Sequence, residues 1–248
     1  MMDLSLKGKV ALITGGAAGI GQAIAQAFLH NGGCVALLDR DARVQQIAAE
    51  MDSQRAFGVA VDVTDRQAVN RAVDAVVSHF GSLDIVVNCA GVALLGPAES
   101  LEEAAWDRTL EINLKGTFLV CQAAGQHFLR QRSGNIINMA SQASVVALPQ
   151  HVAYCASKAA VVGLTQVLAL EWGPHNINVN AISPTVVLTE LGAKAWAGEA
   201  GEQHKQQIPL RRFAEPEHIA ATALFLASPG AAMMNGANVV VDGGFTVC

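Results

Sequence analysis

Charged side chains are scarce in this 248-residue chain, at 15%, against roughly a quarter in average globular domains. The formal net charge is −5, and no run of Lys or Arg forms a basic patch. We therefore expect no nucleic-acid partner. Few charges beside 52% hydrophobic residues predict either a large buried surface or a broad interface between subunits.

Paired cysteines are also lacking. The five cysteines are odd in number, and none stands in a CxxC arrangement: Cys34, Cys89, Cys121, Cys155 and Cys248. A chain of this length needs no disulfide staples, so we interpret them as reduced thiols of a cytosolic protein. No metal site is predicted, because the histidines and acidic residues do not cluster at metal-ligand spacing.

No long apolar run is present either. The first one, VALIT at 10–14, follows Lys7 and Lys9 as in a signal peptide. It stops at Gly15 and Gly16, before the length that a signal peptide needs. No span of 18 clean apolar residues occurs elsewhere. The sequence thus predicts neither export nor a membrane span.

Tyrosine occurs once, at Tyr154, four positions before Lys158. Four positions apart on a helix means the same face. A lysine ammonium close to a phenol favours the phenolate and lowers the phenol pKa from about 10, which makes tyrosine usable for acid–base chemistry. Ser141 ends an apolar strand thirteen residues earlier. A packed core tyrosine beside a surface lysine would give the same spacing, so the pair alone does not decide.

A glycine-rich turn, GGAAGIG at 15–21, follows the strand at 9–14 and precedes a helical pattern. A helix N-terminus behind such a turn binds phosphate through free N–H groups. Alone, the turn could be just a tight corner. The second strand, 34–39, ends at Asp39, where a carboxylate can accept hydrogen bonds from ribose hydroxyls. Together they predict a dinucleotide site with Gly15, Ala18 and Ile20 as contacts.

Strand and helix patterns alternate along the rest of the chain. Val- and Ile-rich strands with little polar alternation are typical of a parallel sheet buried on both faces. We predict a single α/β domain, a doubly wound Rossmann-type parallel sheet of about seven strands with helices on both faces. Strands are expected at 9–14, 34–39, 57–63, 83–88, 135–140, 177–182 and 238–243, and helices at 42–52, 65–79, 101–130, 152–172 and 216–227.

Several strings then carry a family resemblance: TGGAAGIG at 14–21, NCAG at 88–91, Asn113, Ser141 and YCASK at 154–158. In order and spacing they resemble the short-chain dehydrogenase/reductase family over essentially the whole chain. The sequence as a whole, including its last residues VDGGFTVC, is similar to those of bacterial polyol and sugar-alcohol dehydrogenases. The resemblance implies hydride transfer between a nicotinamide cofactor and a secondary alcohol or ketone.

The resemblance also implies four catalytic roles. Tyr154 would exchange a proton with the substrate oxygen, and Ser141 would hold that oxygen. Lys158 would lower the tyrosine pKa and bind the nicotinamide ribose. Asn113 would close a proton relay through a water near Lys158, although an asparagine at this place could instead cap or interrupt the long helix.

Further cofactor contacts are implied by the same resemblance. Asn88 and Gly91 would support the central strand and let the cofactor lie close to the backbone. Asp62 and Val63 would flank the adenine, with a plain strand-end turn as the alternative for Asp62. The remaining pair, for the cofactor carboxamide, comprises Val187 and Thr189.

Two residues depart from the family pattern: Cys89 stands where a second asparagine is usual, and Thr185 replaces a glycine after Pro184. Threonine is tolerated there if its φ is negative, so the departure concerns the loop geometry rather than the activity.

Asp39 predicts NAD rather than NADP, because a carboxylate at the 2′ position accepts from a hydroxyl but repels a phosphate. Arg40 argues the other way, but Ala18 adds no second basic partner. The alternatives are an NADP-dependent reductase of the 3-oxoacyl type and a catalytically silent NAD-binding scaffold.

For the substrate, a small-molecule alcohol or ketone, we expect contacts from Ser141, Gln142, Gln150 and Tyr154, with Ser144 and His151 nearby. These polar walls suit a short polyol better than an acyl chain. The segment 185–207, with Gly192, Gly198 and Gly201, is expected to form a mobile lid.

A homotetramer is predicted from the helix at 152–172. Lys158 is its only charged side chain before Glu171, so the helix has no charged face for water. Its outer side therefore needs a second protein surface, with Val161, Val162, Thr165 and Leu168 as candidates. The apolar stretch 114–124 would join it, since the resemblance implies that these two helices pair across a subunit interface.

Overall fold

The computed structural model describes residues 3–247, apart from the side chain of Leu191. Seven parallel strands form one sheet in the order β3-β2-β1-β4-β5-β6-β7. This confirms the doubly wound α/β prediction. The strands are β1 (Val10–Thr14), β2 (Cys34–Asp39), β3 (Ala56–Ala60), β4 (Ile85–Asn88), β5 (Gly134–Met139), β6 (Ile177–Pro184) and β7 (Asn238–Val241).

Nine α-helices connect the strands within the described residues. They are α1 (Gly19–His30), α2 (Val44–Met51), α3 (Arg66–Phe80), α4 (Glu103–Leu110), α5 (Thr117–Gln131), α6 (Val152–Trp172), α7 (Glu190–Ala195), α8 (Glu199–Gln207) and α9 (Pro216–Ala227). The end signals of α3 are local. Asp65 accepts from the N–H groups of Gln67 and Ala68, and Gly81 ends the helix in the left-handed conformation.

Two apolar layers enclose the sheet, one on each face. Ala11 and Ile13 of β1 pack into the layer that includes α1, α2 and α9. Val10 and Leu12 of the same strand pack into the layer of α3, α5 and α6. Because successive side chains of a strand alternate between faces, an all-apolar strand must be covered on both sides.

The long helical region predicted at 101–130 is divided. A π-helical turn, Glu111–Gly116, separates α4 from α5. A π-turn inserts one extra residue into a helix and redirects the side chains that it carries. Asn113 lies in this turn and is fully buried.

The prediction for the outer face of α6 was wrong for three of its four residues. Val161, Thr165 and Leu168 are at most 6% exposed and pack within the chain, whereas Val162 is partly exposed. Likewise, most of the stretch 114–124 is buried or partly buried within the chain, with only Lys115 exposed. The solvent-facing row of α6 instead comprises Ala159, Gly163, Gln166, Val167 and Leu170. The sequence showed that both sides are apolar, but the residues that meet the sheet depend on how the helix is rotated about its axis.

Within residues 3–247, the helical stretch Val152–His175 alone has the length and apolar composition that could cross a membrane. It packs on β6 and carries Tyr154 and Lys158. We interpret it as a core helix.

The segment 185–207 contains α7 and α8. At two of its glycines a side chain would clash with a carbonyl oxygen, and this clash explains the glycine without any mobility of the chain. A Cβ at Gly192 would lie 2.0 Å from the Val187 carbonyl oxygen, and one at Gly201 would lie 1.9 Å from that of Trp196. Of the three glycines named for a lid, Gly198 has a positive φ, of 78°. The lid itself stays a prediction.

Candidate active site

A cleft opens at the carboxyl ends of β1 and β4, where the chain connections leave the sheet in opposite directions. Such a crevice is where open α/β sheets bind ligands. Its cavity has a volume of about 370 Å³. Eight of the predicted cofactor residues line it: Gly15, Ala18, Ile20, Asp39, Asp62, Val63, Gly91 and Thr189.

Backbone contacts hold the floor of this cleft. Gly15 has a φ of 64°, and a Cβ there would come within 3.0 Å of the Ala90 nitrogen. The Thr14 hydroxyl accepts a hydrogen bond from the same Ala90 N–H at 3.1 Å. Only glycine allows the first turn to lie this close to the segment that follows β4.

Asp39 is anchored from both sides at the end of β2. Its carboxylate oxygens accept from the N–H groups of Ala17 and Asp41, each at 3.1 Å. The carboxylate is partly exposed and faces the cavity, so it is fixed in position yet keeps lone pairs for a ligand. Arg40 also lines the cavity and is exposed.

Asp62 combines the two roles considered for it. It lines the cavity, and it also closes a turn by accepting from the N–H and hydroxyl of Thr64, at 2.9 and 2.8 Å. The N–H of Thr64 is the main reason that the pKa of Asp62 lies below its usual value. Arg108 of α4 reaches Asp62 at 3.4 Å and Glu111 at 3.0 Å.

Sequence reasoning missed Arg108, which lines the same cavity. A single arginine in a helical pattern carries no motif. Its place at the cleft depends on how α4 lies beside the end of β3. Glu190, which follows the predicted residue Thr189, also lines the cavity and was missed, because it belongs to no motif.

Four of the twelve predicted cofactor residues do not line the cavity. Tyr154 and Lys158 lie on α6 beside it, since a Cβ at the lining residue Gly91 would be 3.5 Å from Lys158 Nζ. The side chains of Asn88 and Val187 pack elsewhere.

The Asn88 side chain is buried and donates to Asn138 at 2.9 Å and to the Cys121 sulfur at 3.2 Å. Its side chain thus ties β4 to β5 and α5. Val187 packs into the apolar layer of α1 and α9. Neither side chain lines the cleft, so any contact with a cofactor there would have to come from the backbone.

Cys89 occupies the cavity wall at the position of the family asparagine. Burial raises the pKa of its thiol to about 12, although nearby Lys158 acts in the opposite direction. The thiol therefore stays protonated at neutral pH and is a poor nucleophile.

Lys158 and Tyr154 share one face of α6, as predicted. The lysine Nζ lies 5.7 Å from the centre of the tyrosine ring and donates to the Met139 carbonyl at 2.7 Å. Among the described residues this carbonyl is its only hydrogen-bond acceptor, and Lys158 is 5% exposed. Two of its three N–H donors are left for a bound molecule that carries hydroxyls.

The expected lowering of the tyrosine pKa by Lys158 is not found. Burial raises the pKa of Tyr154, and a hydrogen bond from Ser141 opposes that rise. Burial also lowers the pKa of Lys158 itself, to about 8. Both charged forms lose hydration in the same place, so the neutral forms are favoured. The phenolate therefore needs additional positive charge beside it.

Asn113 holds the backbone beside these two residues. Its Oδ1 accepts from the Val92 N–H at 2.8 Å, and its Nδ2 donates to the Val92 carbonyl at 2.9 Å and the Ser157 hydroxyl at 3.0 Å. A Cβ at Gly91 would lie 3.1 Å from Asn113 Oδ1 and 3.5 Å from Lys158 Nζ. The π-turn, the segment after β4 and α6 thus meet at one point, and the relay through water stays a prediction.

The predicted substrate residues lie beyond β5 and β6. Ser141 begins a 3₁₀ turn (Gln142–Ser144), is 8% exposed and accepts from the Ala143 N–H at 3.2 Å. Gln142 is 2% exposed, and its Oε1 has no partner among the described residues. Gln150 is exposed, with a φ of 65°, and its contact with a substrate stays a prediction.

Neighbouring polar residues complete this side. The Ser144 hydroxyl lies 3.2 Å from that of Ser183. The ring of His151 lies 6.0 Å from that of Tyr154. The Thr185 Oγ1, at the departure from the family pattern, is buried without a partner among the described residues, and Thr185 does not have the positive φ that glycine favours.

These residues fit a dinucleotide. The turn leaves space close to the backbone, Asp39 is fixed at the ribose end of the cleft, and Lys158 keeps free donors at the other end. Among residues 3–247, no three or more His, Cys, Asp or Glu side chains lie in a group that could hold a metal ion.

Comparisons with known proteins agree with this geometry. The family model described as Enoyl-(Acyl carrier protein) reductase matches residues 15–246. The chain is 56% identical to D-threitol dehydrogenase of Mycolicibacterium smegmatis, covering 99% of this chain and 95% of the other. It is 51% identical to NAD-dependent glycerol dehydrogenase of Listeria innocua serovar 6a, covering 99% and 96%. The crystal structure of NAD⁺-bound xylitol dehydrogenase superposes with a TM-score of 0.92 at 31% identity, covering 96% and 99%.

Proposed function

The chain belongs to the short-chain dehydrogenase/reductase family, and we propose that it is an NAD-dependent dehydrogenase that interconverts a secondary hydroxyl of a short polyol and the corresponding ketone. The observation that carries the proposal is the joint position of Ser141, Tyr154 and Lys158. They lie beside the cleft, because a Cβ at the lining residue Gly91 would be 3.5 Å from Lys158 Nζ. Relatives named for threitol and glycerol support the polyol class.

Ser141 and Tyr154 would bind the reacting oxygen between their hydroxyl groups. In alcohol oxidation, the phenolate of Tyr154 would accept the hydroxyl proton as the carbon–oxygen double bond forms. In ketone reduction the same phenol would donate that proton. NAD, when bound, supplies the hydride acceptor and a positively charged ring, which favours the phenolate despite its burial.

Lys158 would donate to the ribose hydroxyls and, while protonated, stabilise the phenolate. Asn113 would hold α6, which carries the lysine, beside the end of the cleft through its hydrogen bonds to Val92 and Ser157. These assignments rest on the contacts of each side chain and on the family resemblance.

NAD is favoured over NADP because the Asp39 carboxylate is fixed by two backbone N–H groups at the ribose end of the cleft. A 2′-phosphate there would meet a negative charge that cannot swing away. The relative from Listeria innocua is named as NAD-dependent.

A 3-oxoacyl reductase remains the second candidate, because the chain is 35% identical, over 98% of its length, to a 3-oxoacyl-(acyl-carrier-protein) reductase of Thermotoga maritima. It is less well supported, since two relatives of higher identity, at 51% and 56%, are named for polyols. A silent scaffold would not need the complete set of Asn113, Ser141, Tyr154 and Lys158.

One assay decides between these functions. Polyols of three to five carbons, monohydric secondary alcohols and 3-oxoacyl esters would be compared with NAD(H) and NADP(H) by absorbance of the reduced cofactor. We expect the highest kcat/KM for a polyol with NAD. A clear preference for a 3-oxoacyl ester would replace the proposal by the second candidate.

We also propose a homotetramer in the cytosol. On the outer row of α6, Leu170 is 79% and Val167 is 52% exposed. A Cβ at Gly163 would meet no atom of this chain within 4 Å, so nothing inside the subunit calls for a glycine there. A close helix from a second copy would account for it. The free cysteines fit a reducing compartment.

Light scattering coupled to size exclusion tests the assembly. Val167→Glu combined with Leu170→Glu should dissociate the tetramer, because the charges would be buried in the interface. Met233→Glu is the control, since Met233 is 97% exposed and lies outside α6. An active wild-type monomer of 25.8 kDa at micromolar concentration would contradict the proposal.

A further inference from the structure

Four rings join α8 to the C-terminal end of the described chain. The centre of the His204 ring lies 4.6 Å from Trp196, 4.9 Å from Phe245 and 6.0 Å from Phe213. Trp196 and Phe213 are also 6.0 Å apart. We call these residues, Trp196, His204, Phe213 and Phe245, the ring cluster. His204 lies at its centre, since it alone contacts the other three.

A histidine at position 204 destabilises the folded chain relative to an apolar residue of the same shape. It is 8% exposed, and its Nε2 is buried with no hydrogen-bond partner among the described residues. A buried polar atom without a partner costs about 1–3 kcal/mol. A third phenylalanine in the cluster would occupy the same space without that cost. The nitrogen is therefore suited to a partner outside the chain.

The position of His204 points to the substrate side of the site. Its ring lies 4.9 Å from Phe245, which follows the carboxyl end of β7, and Thr185 follows the carboxyl end of the neighbouring parallel strand β6. Burial is the main cause that lowers the pKa of His204, and His151 adds to it. His151 in turn lies 6.0 Å from the Tyr154 ring. No acidic side chain is among the causes that shift the His204 pKa. The imidazole is thus neutral at neutral pH and offers one donor and one acceptor.

Two more buried atoms without partners occur at the same end of the sheet. They are Oε1 of Gln142, just after β5, and Oγ1 of Thr185, just after β6. The other buried side-chain atoms without partners belong to Asn88 and Asn135, within the strands. Three unpaired polar groups beyond the strand ends match a ligand that carries several hydroxyls, of which Ser141 and Tyr154 would take only one.

We propose that His204 binds, through Nε2, a substrate hydroxyl other than the one that reacts, and so determines the preference for polyols over monohydric alcohols. The inference rests on the proposed function. It assigns to the ring cluster the task of holding the imidazole in place by packing, while its nitrogen stays free for the substrate.

The test compares His204→Phe with His204→Gln in the full-length protein. Phenylalanine keeps the ring packing and removes the nitrogen, whereas the glutamine amide nitrogen can reach a place similar to that of Nε2. For His204→Phe, the ratio of kcat/KM for a polyol to that for 2-butanol should fall about 10- to 100-fold, chiefly through the polyol KM. His204→Gln should recover part of the ratio.

Two control variants separate binding from packing. Phe245→Leu loosens the ring cluster but leaves Nε2 in place, so it should change both kcat/KM values together and preserve their ratio. His127→Phe removes an ion pair between His127 of α5, which is partly exposed, and Asp74 of α3, and it should leave both values unchanged.

A binding measurement adds a readout without turnover. In the Tyr154→Phe background with NAD bound, calorimetry would give the polyol Kd, which His204→Phe should raise by the same factor as the KM. Polyol turnover by the wild type with an unchanged ratio in His204→Phe would overturn this inference alone. No polyol turnover by the wild type would overturn the proposed function as well.

Discussion

The two ends of the active site are built in different ways. At the cofactor end, backbone groups carry the structure: the Ala17 N–H on Asp39, the Ala90 N–H on Thr14 and the Thr64 N–H on Asp62. At the substrate end, side chains from distant segments meet, as in the ring cluster. A site built from backbone groups can be predicted from short sequence motifs. A site built from side chains of distant segments can change its specificity without a change of fold.

The largest expected effect comes from the residue where both ends meet. Tyr154→Phe removes the acid–base group, and we expect turnover to fall about 10²- to 10⁴-fold in both directions. Binding of NADH should persist, because the cleft itself is unchanged; fluorescence titration measures it. Retention of most of the turnover would contradict the assignment.

The second change acts at the cofactor end alone. Asp39→Ala should reduce the preference for NAD over NADP about 10- to 100-fold, chiefly by weakening the binding of NAD, since the carboxylate that would accept from the ribose hydroxyls is removed. Steady-state kinetics with both cofactors at a saturating polyol concentration measure the ratio.

Asp41→Ala serves as the matched control. Asp41 is an acid two positions away that pairs with Arg43 and does not line the cavity. It should leave the ratio unchanged. A comparable shift in this control would mean that general charge, rather than a contact of Asp39, sets the preference. The KM for the polyol should stay within about three-fold in both variants if the two ends are independent.

The smallest effect concerns stability. The pKa of Lys158 is about 8 in the folded chain, against 10.5 for an ordinary lysine. Between these values the unfolded chain binds more protons, so the free energy of unfolding rises with pH. From pH 8 to pH 9 we expect the wild type to gain about 1 kcal/mol over Lys158→Met, measured by urea unfolding without cofactor.

The comparison with Lys158→Met is needed because other buried groups act in the opposite direction. Burial raises the thiol pKa of Cys89 and Cys121 to about 12, so the unfolded chain loses protons first and stability falls above pH 9. Those thiols are present in both proteins, and most of their contribution cancels. Parallel pH profiles for the two proteins would show that the lysine is not buried as described.

The cofactor end was largely predictable from the sequence because its parts are close in the chain or follow from strand order. Gly15, Ala18 and Ile20 belong to one turn, and Asp39 ends the next strand, so a parallel sheet brings them to one edge. The same logic applies to Tyr154 and Lys158, which are one helical turn apart. Arg108 escaped prediction because nothing local links α4 to the cleft.

The sequence alone determined the doubly wound fold, the dinucleotide turn and the chemical pair on α6, since each depends on periodicity or on short spacing. Tertiary structure decided what those signals leave open. Rotation of α6 turned Val161, Thr165 and Leu168 inward, and the π-turn aimed Asn113 at Val92. Shared burial raised the tyrosine pKa that the spacing predicted to fall. Burial, helix rotation and long-range contacts are properties of the packed chain, and no local string encodes them.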